Sequence, residues 1–239
     1  VGSAAVPGGT GGLTAPAYWS LPSPNHGPRR GDARPDIVVL HYTVLPREEA
    51  LARLCEPASE VSAHWLVDRA GDVIGLVDEG RRAWHAGAGA WGAAADVNSR
   101  SIGIELEGDG GDFPPGQIAA LHVLLEGILQ RHGIHPARVI GHSDMAPGRK
   151  DDPGPAFDWR GLAVQGLSVW PEARQALPES TDAALRRFGY PLSVAPALRL
   201  ASFRRRFRPG AEGPADAVDA GLAADLAARF PVDRWDGEA

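Results

Sequence analysis

An imidazole, a lysine and two adjacent carboxylates share one short segment of the chain. They are His142, Lys150, Asp151 and Asp152, and Asp152 follows His142 by ten positions. The same segment holds Pro147, Gly148, Pro153, Gly154 and Pro155, a composition that excludes a helix interior and predicts a loop. Loops on a rigid scaffold carry function more often than packing. An imidazole and a carboxylate are two of the three protein ligands that a catalytic metal site uses, so a third must come from elsewhere.

His41 is a candidate for it. It ends the run Asp36-Ile37-Val38-Val39-Leu40-His41-Tyr42, whose unbroken apolar centre predicts a buried strand. His142 follows a short strand predicted over 138–141. Strand ends that open onto loops are where α/β proteins place their sites. Two histidines and a carboxylate form a familiar catalytic zinc set, with the fourth position left to water. Such water ionises near neutral pH and the metal polarises a carbonyl, which suits amide hydrolysis.

That reaction needs a proton shuttle and a positive partner for the oxyanion. Glu105 and Glu107 share a face of the strand predicted over Ser101–Gly108, and either can be the base. Lys150 is placed to be the positive partner. Each residue also has a plainer reading. A histidine at a strand end often only hydrogen-bonds, an aspartate before proline forms turns, and a lone lysine is solvated. No short-spaced motif such as His-Glu-x-x-His is present.

The elements that must hold these residues alternate between strand and helix. Residues 1–17 read as a flexible leader rich in Gly and Pro, and the stretch to residue 34 as an irregular segment draped over the domain. A short helix is expected over 47–55. Ser62–Asp68 and Asp72–Val77 flank a turn at Ala70-Gly71 and predict a hairpin. Residues 83–100 read as loop. Ile118, Leu121, Leu125, Ile128 and Leu129 recur at helical spacing, so a helix is predicted from Pro115 to His132, closed by Gly133. A helical turn near 159–167 follows. Past Pro171 only helical patterns remain, at 182–188, 195–207 and 215–230. The reading is an α/β fold, a central mostly β-sheet flanked by helices, plus a small all-α C-terminal domain. The expected boundaries are 18–175 for the larger domain and 176–239 for three helices.

Composition narrows the function classes. Hydrophobic residues make up 44% of the 239 and charged residues 23%, as in ordinary globular proteins. A net charge of −6 argues against a nucleic-acid binder, so Arg204-Arg205-Arg206 reads as a solvated face or a contact to acidic glycan peptides. Cys55 is the only cysteine, which excludes an intramolecular disulfide and any cysteine-cluster metal site. No apolar run approaches the roughly 18 to 20 residues of a membrane span. The sequence starts at Val1 and its only methionine is Met145, so the native N-terminus is expected to have been removed or replaced, with any signal peptide lying before it.

Five segments, in order, resemble the zinc-dependent N-acetylmuramoyl-L-alanine amidases of the type 2 amidase family. They are residues 36–43 (Asp-Ile-Val-Val-Leu-His-Tyr-Thr), 62–65 (Ser-Ala-His-Trp), 83–87 (Ala-Trp-His-Ala-Gly), 98–108 (Asn-Ser-Arg-Ser-Ile-Gly-Ile-Glu-Leu-Glu-Gly) and 141–159. The resemblance covers residues 18–172, and the fold it implies is shared with T7-type phage lysozyme and peptidoglycan recognition proteins. Val164 to Pro171 is similar to the branch of outer-membrane lipoprotein amidases, in which a small helical peptidoglycan-binding domain follows.

The resemblance implies Zn2+ held by His41, His142 and Asp152, the aspartate directly before Pro-Gly-Pro. It implies Glu105 as acid and base, Lys150 on the oxyanion, and Trp84 and His85 at the border of the substrate groove. Glu107 and His64 are then structural. The implied reaction cuts the amide between N-acetylmuramic acid, intact or 1,6-anhydro, and L-alanine. The alternative is a non-catalytic peptidoglycan-recognition protein of the same fold. Asp96 departs from the family pattern, which often has Arg there, so Arg100 or Arg149 is expected to meet a stem-peptide carboxylate instead. The expected partner is peptidoglycan or a muropeptide, with no nucleic acid, a monomeric chain, and membrane attachment only through a lipidated N-terminus. The helical domain favours the cell envelope, with cytoplasm as the alternative.

Overall fold

Ile37 to Leu40 present apolar side chains to both sides of their strand, and all four are fully buried. Such a strand needs a packed layer on each face, and the molecule is built to supply both. The computed structural model describes residues 16–232. Its strands are β1 (Tyr18–Ser20), β2 (His26–Gly27), β3 (Ile37–Tyr42), β4 (Trp65–Val67), β5 (Val73–Gly75), β6 (Arg82–Ala83), β7 (Ser101–Leu106) and β8 (Val139–Gly141). Six of them form one sheet in the order β1-β5-β4-β7-β3-β8. The pairs β4–β7, β7–β3, β3–β8 and β1–β5 are parallel, and only β4–β5, the expected hairpin, is antiparallel.

One face carries Val38, Leu40, Val67, Ile102, Ile104 and Leu106, covered by the helix α3 (Pro115–His132) through Leu121, Leu125 and Ile128. Pro115 suits the first turn of that helix. Gly133 ends it in the left-handed region at φ 63, its N–H bonded to the Leu129 carbonyl. Burying each large apolar side chain there contributes about 1.5–3 kcal/mol. The other face, with Ile37, Val39 and Ile140, is covered in two parts. The helix α1 (Arg47–Cys55) packs Ala50 and Leu54 on Leu66 and Ile74. At the β3–β8 end lie Trp91, Met145 and the helices α6 (Thr181–Phe188), α7 (Pro196–Phe207) and α8 (Ala217–Arg229), through Leu185, Phe203, Phe207 and Leu226. His41 and Glu105 stand on this second face.

Several expectations are corrected. The stretch before residue 34 is not wholly irregular, because Tyr18–Ser20 forms an edge strand on β5; residues 1–15 of the expected leader lie outside the described residues. Ser101–Leu106 is buried on both faces. Ser101 and Gly103 are as buried as Ile102 and Ile104, because a second layer packs on their face. The loop expected after residue 141 begins with a helical turn, α4 (His142–Met145), followed later by α5 (Trp159–Val164). A four-residue helix, α2 (Val97–Arg100), interrupts the 83–100 loop. Arg204 and Arg206 are not solvated. They are 6% and 3% exposed and pair with Asp219 and Asp144, while Arg205 reaches Asp151. The C-terminal helices thus share one continuous apolar core with the sheet.

Candidate metal centre and the cleft around it

In the parallel pair β3–β7, His41 stands opposite Glu105. Residues paired across parallel strands point to the same face, so register alone brings imidazole and carboxyl together at the strands' carboxyl ends. His142 arrives from the next strand, as the first residue of α4. That turn is held by Asp144, whose Oδ2 accepts the Gly141 N–H at 2.9 Å. Asp152 is returned to the same place by its own carbonyl, which accepts the Ser143 N–H at 3.0 Å.

The result is a tight triangle. His41 Nδ1 lies 2.9 Å from His142 Nδ1, and Asp152 Oδ2 lies 3.0 Å from each. All three residues are buried, and they form the one such cluster among the described residues. A tetrahedral zinc with arms of about 2.0–2.2 Å separates its ligand atoms by about 3.3–3.6 Å, so a small outward shift admits an ion. The second nitrogens fit as well. His142 Nε2–H donates to the Ala86 carbonyl at 2.8 Å, which leaves Nδ1 with a free lone pair. His41 Nε2 lies 3.0 Å from His85 Nδ1.

Electrostatics set the protonation states that metal binding requires. Burial, then the neighbouring His142, holds His41 down to about 4, so it is neutral. Burial alone would raise Asp152, but the His142 and His41 rings beside it outweigh that and keep the carboxyl ionised, well below the usual carboxylate range. Neutral imidazoles and a carboxylate are the forms that ligate. Glu105 behaves oppositely: burial, then the charge of Asp152, pushes it well above its ordinary value, and Lys150 pulls it back. Its Oε2 has no hydrogen-bond partner among the described residues.

The cluster opens into a cleft of about 530 Å3 between α1 and the 149–152 loop, with Trp84, Glu105, Arg149 and Lys150 in its walls. Two larger clefts, of about 820 and 850 Å3, lie among the C-terminal helices and along β1, and neither contains the cluster. Chemistry rather than size therefore selects the site. Arg149 donates to the Ala86 carbonyl at 2.7 Å. Asp151 turns outward to Arg205. Glu107 stands apart, its two oxygens accepting the Arg47 and Arg69 backbone N–H groups. Asp96 does not line the cleft; it caps α2 and pairs with Arg82 at 2.9 Å. Arg100 reaches Asp36 instead of the cleft. Asn98 was not foreseen in any role, although it opens one of the quoted motifs. Its Oδ1 accepts the N–H groups of His85 and Ala86 at 3.0 and 2.8 Å, and so fixes the 84–87 loop.

His64 is structural. It is fully buried, its Nδ1 accepts the Gly103 N–H at 2.9 Å, and its Nε2–H donates to the Arg81 carbonyl at 3.1 Å. Burial, partly offset by that carbonyl, lowers it to about 3. The unfolded chain takes up a proton near pH 6.5 that the folded chain refuses until about pH 3. Unfolding therefore gains about 1.4 kcal/mol per pH unit below 6.5 from this residue alone. Urea unfolding of metal-free protein is expected to show stability falling from pH 6.5 toward 4. A flat profile there would contradict a neutral buried His64.

A mostly parallel sheet with a His-His-Asp cluster at its strand ends, beside an unpartnered carboxyl, defines an α/β protein with a site able to hold a metal, of the kind metallohydrolases use. Residues 31–155 match the family model of N-acetylmuramoyl-L-alanine amidases, and the chain belongs to that family. It is 35% identical over 233 residues to the N-acetylmuramoyl-L-alanine amidase AmiD of Escherichia coli, covering 82% of this chain and 84% of that one. The structure of AmiD with the substrate anhydro-N-acetylmuramic acid-L-Ala-D-gamma-Glu-L-Lys superposes with a TM-score of 0.74 at 34% identity, over 85% of this chain and 93% of that one. The 1,6-anhydro-N-acetylmuramyl-L-alanine amidase AmpD of Enterobacter cloacae is 35% identical over an alignment of 158 residues that covers 58% of this chain and 84% of AmpD.

Proposed function

We propose that this chain is a zinc amidase that hydrolyses the bond between N-acetylmuramic acid, intact or 1,6-anhydro, and L-alanine in peptidoglycan fragments. The observation that carries the reading is the triangle of His41 Nδ1, His142 Nδ1 and Asp152 Oδ2, each 2.9–3.0 Å from the others, with Glu105 directly across the strand pair from His41. Nitrogen and carboxylate donors without thiolate suit zinc. When bound there, zinc supplies ionisation of water near neutral pH and polarisation of a carbonyl.

This chain's residues do the rest. Glu105 takes a proton from the attacking water and returns it to the departing alanine nitrogen, which its raised proton affinity favours. Lys150, in the cleft wall, places positive charge beside the oxygen that becomes negative as the carbonyl is attacked. Trp84 and Arg149 flank the cleft, and Arg149 offers a cation for a stem-peptide carboxylate where Asp96 cannot. Supporting the substrate class are AmiD, whose structure holds an anhydromuramyl tripeptide, and AmpD, named for the 1,6-anhydro sugar. We read residues 176–239 as a peptidoglycan-binding region, as the resemblance to the lipoprotein amidases implies; the AmiD match, over 82% of the chain, reaches further than the AmpD match, over 58%. A wall-binding region favours action in the cell envelope, since soluble fragments need no anchor.

Glu105→Gln separates proton transfer from metal binding. The variant is expected to bind zinc one to one and to turn over an anhydromuramyl peptide about 10²–10⁴ times more slowly. Equal rates for Glu105→Gln and wild type would remove Glu105 from the mechanism.

A further inference from the structure

The metal ligand His41 can offer Nδ1 to an ion only if its one ring proton sits on Nε2. What enforces that choice lies three hydrogen bonds away. The Val97 carbonyl can only accept, and it takes the hydroxyl proton of Ser101 at 2.6 Å. Ser101 Oγ, its proton committed, accepts from His85 Nε2–H at 3.1 Å. A neutral imidazole with its proton on Nε2 presents a bare Nδ1. His85 Nδ1 therefore accepts, and the atom 3.0 Å away, His41 Nε2, must donate. We propose that His85 is a positioning residue which, through the Ser101–Val97 relay, holds His41 in the tautomer that turns a free Nδ1 to the metal. The inference rests on the zinc reading above.

The surroundings are shaped for this ring. A Cβ on Gly103 would sit 2.4 Å from His85 Cγ, so the glycine of the Ile-Gly-Ile run opens the slot that His85 fills. Asn98 Oδ1 fixes the His85 and Ala86 backbone, and the Ala86 carbonyl receives the His142 Nε2–H. Two consecutive residues thus orient both metal-ligating histidines, one by a side chain and one by a carbonyl. His85 also lines the cleft, but with both ring nitrogens engaged inside the protein it has none left to offer a substrate.

Three variants and one spectrum test it. His85→Asn keeps an acceptor oxygen near the place of Nδ1, His85→Leu keeps bulk alone, and Ser101→Ala cuts the relay while leaving His85. Zinc affinity, read by competition with a chromophoric chelator, is expected to weaken about 10- to 100-fold in His85→Leu and to recover to within about threefold of wild type in His85→Asn. Ser101→Ala is expected to lie between them. Histidine-selective 15N NMR of the metal-free wild type is expected to show His85 and His41 each protonated at Nε2. Wild-type affinity in His85→Leu, or His85→Asn as weak as His85→Leu, overturns the proposal. Should His85→Leu not fold, Ser101→Ala and the NMR spectrum decide. A wild-type protein that takes up no zinc would remove the zinc reading alone; a proton on Nδ1 of His85 overturns the relay whether or not zinc binds.

Discussion

Asp152→Ala is expected to leave a folded protein that no longer holds stoichiometric zinc and that turns over an anhydromuramyl peptide at least about a thousandfold more slowly. Asp152 supplies the only negative charge in the triangle, and it is 7% exposed, so no water shell can replace it easily. Two neutral imidazoles alone bind zinc far more weakly than a three-ligand set. Losing the ion removes both the ionised water and the polarised carbonyl, a larger effect than losing a single oxyanion donor, which costs about 10²–10³. Asp151→Ala is the control. Its carboxylate is exposed and paired with Arg205, outside the triangle. Metal content and turnover of the two variants, measured side by side, separate the adjacent aspartates. Retained zinc in Asp152→Ala, or loss of zinc in Asp151→Ala, would refute the ligand assignment.

Arg206→Met is expected to destabilise the protein by about 3–5 kcal/mol. Arg206 and Asp144 pair at 2.7 Å with side chains 2% and 1% exposed. The guanidinium also donates to the Val139 carbonyl at 3.0 Å and lies 4.0 Å from the centre of the Trp159 ring. Asp144 in turn accepts from Tyr190 Oη and from the Gly141 N–H that starts the His142 turn. Methionine fills most of the space but leaves a buried carboxylate without its cation, which is the costly half of breaking such a pair. Total stabilities are about 5–15 kcal/mol, so the loss is a large share and should show in the urea midpoint. The double variant Arg206→Met/Asp144→Leu removes the stranded charge, so it should regain part of the stability. A loss below about 1 kcal/mol in Arg206→Met would mean the pair is not closed as described. Ser202 adds to the same contact, its hydroxyl donating to the Ser143 carbonyl at 2.6 Å. Through α7 the C-terminal helices hold the turn that carries His142.

What could be read from the chain follows from how local each signal is. Ile37 to Leu40 announces a doubly buried strand by itself, and the strand delivers His41 to its end. The helix from Pro115 to His132 carries its own periodicity and its own terminal glycine. The His142 turn was not legible. It is four residues long, lies in a Pro/Gly-rich segment, and depends on Arg206 and Tyr190, tens of positions away. For the same reason Arg204-Arg205-Arg206 looked solvated: the carboxylates that bury Arg204 and Arg206 sit on other elements. β1 has three exposed residues and no apolar period, and exists because β5 offers it an edge. In Ser101–Leu106 nothing in the run itself says that a second layer packs on Gly103. His85 carried a motif but not its direction, which only the Ser101 and Val97 contacts supply.

The central claim is a zinc-dependent cut at the bond between muramic acid and L-alanine. Purified protein should be incubated with an anhydromuramyl tripeptide before and after a chelator, then with zinc restored, and the products weighed by mass spectrometry. The account predicts intact sugar and free peptide beginning with L-alanine, no products after chelation, and recovery with zinc. Protein carrying one zinc per chain that releases no such peptide, or release that continues undiminished after the metal is removed, would contradict it.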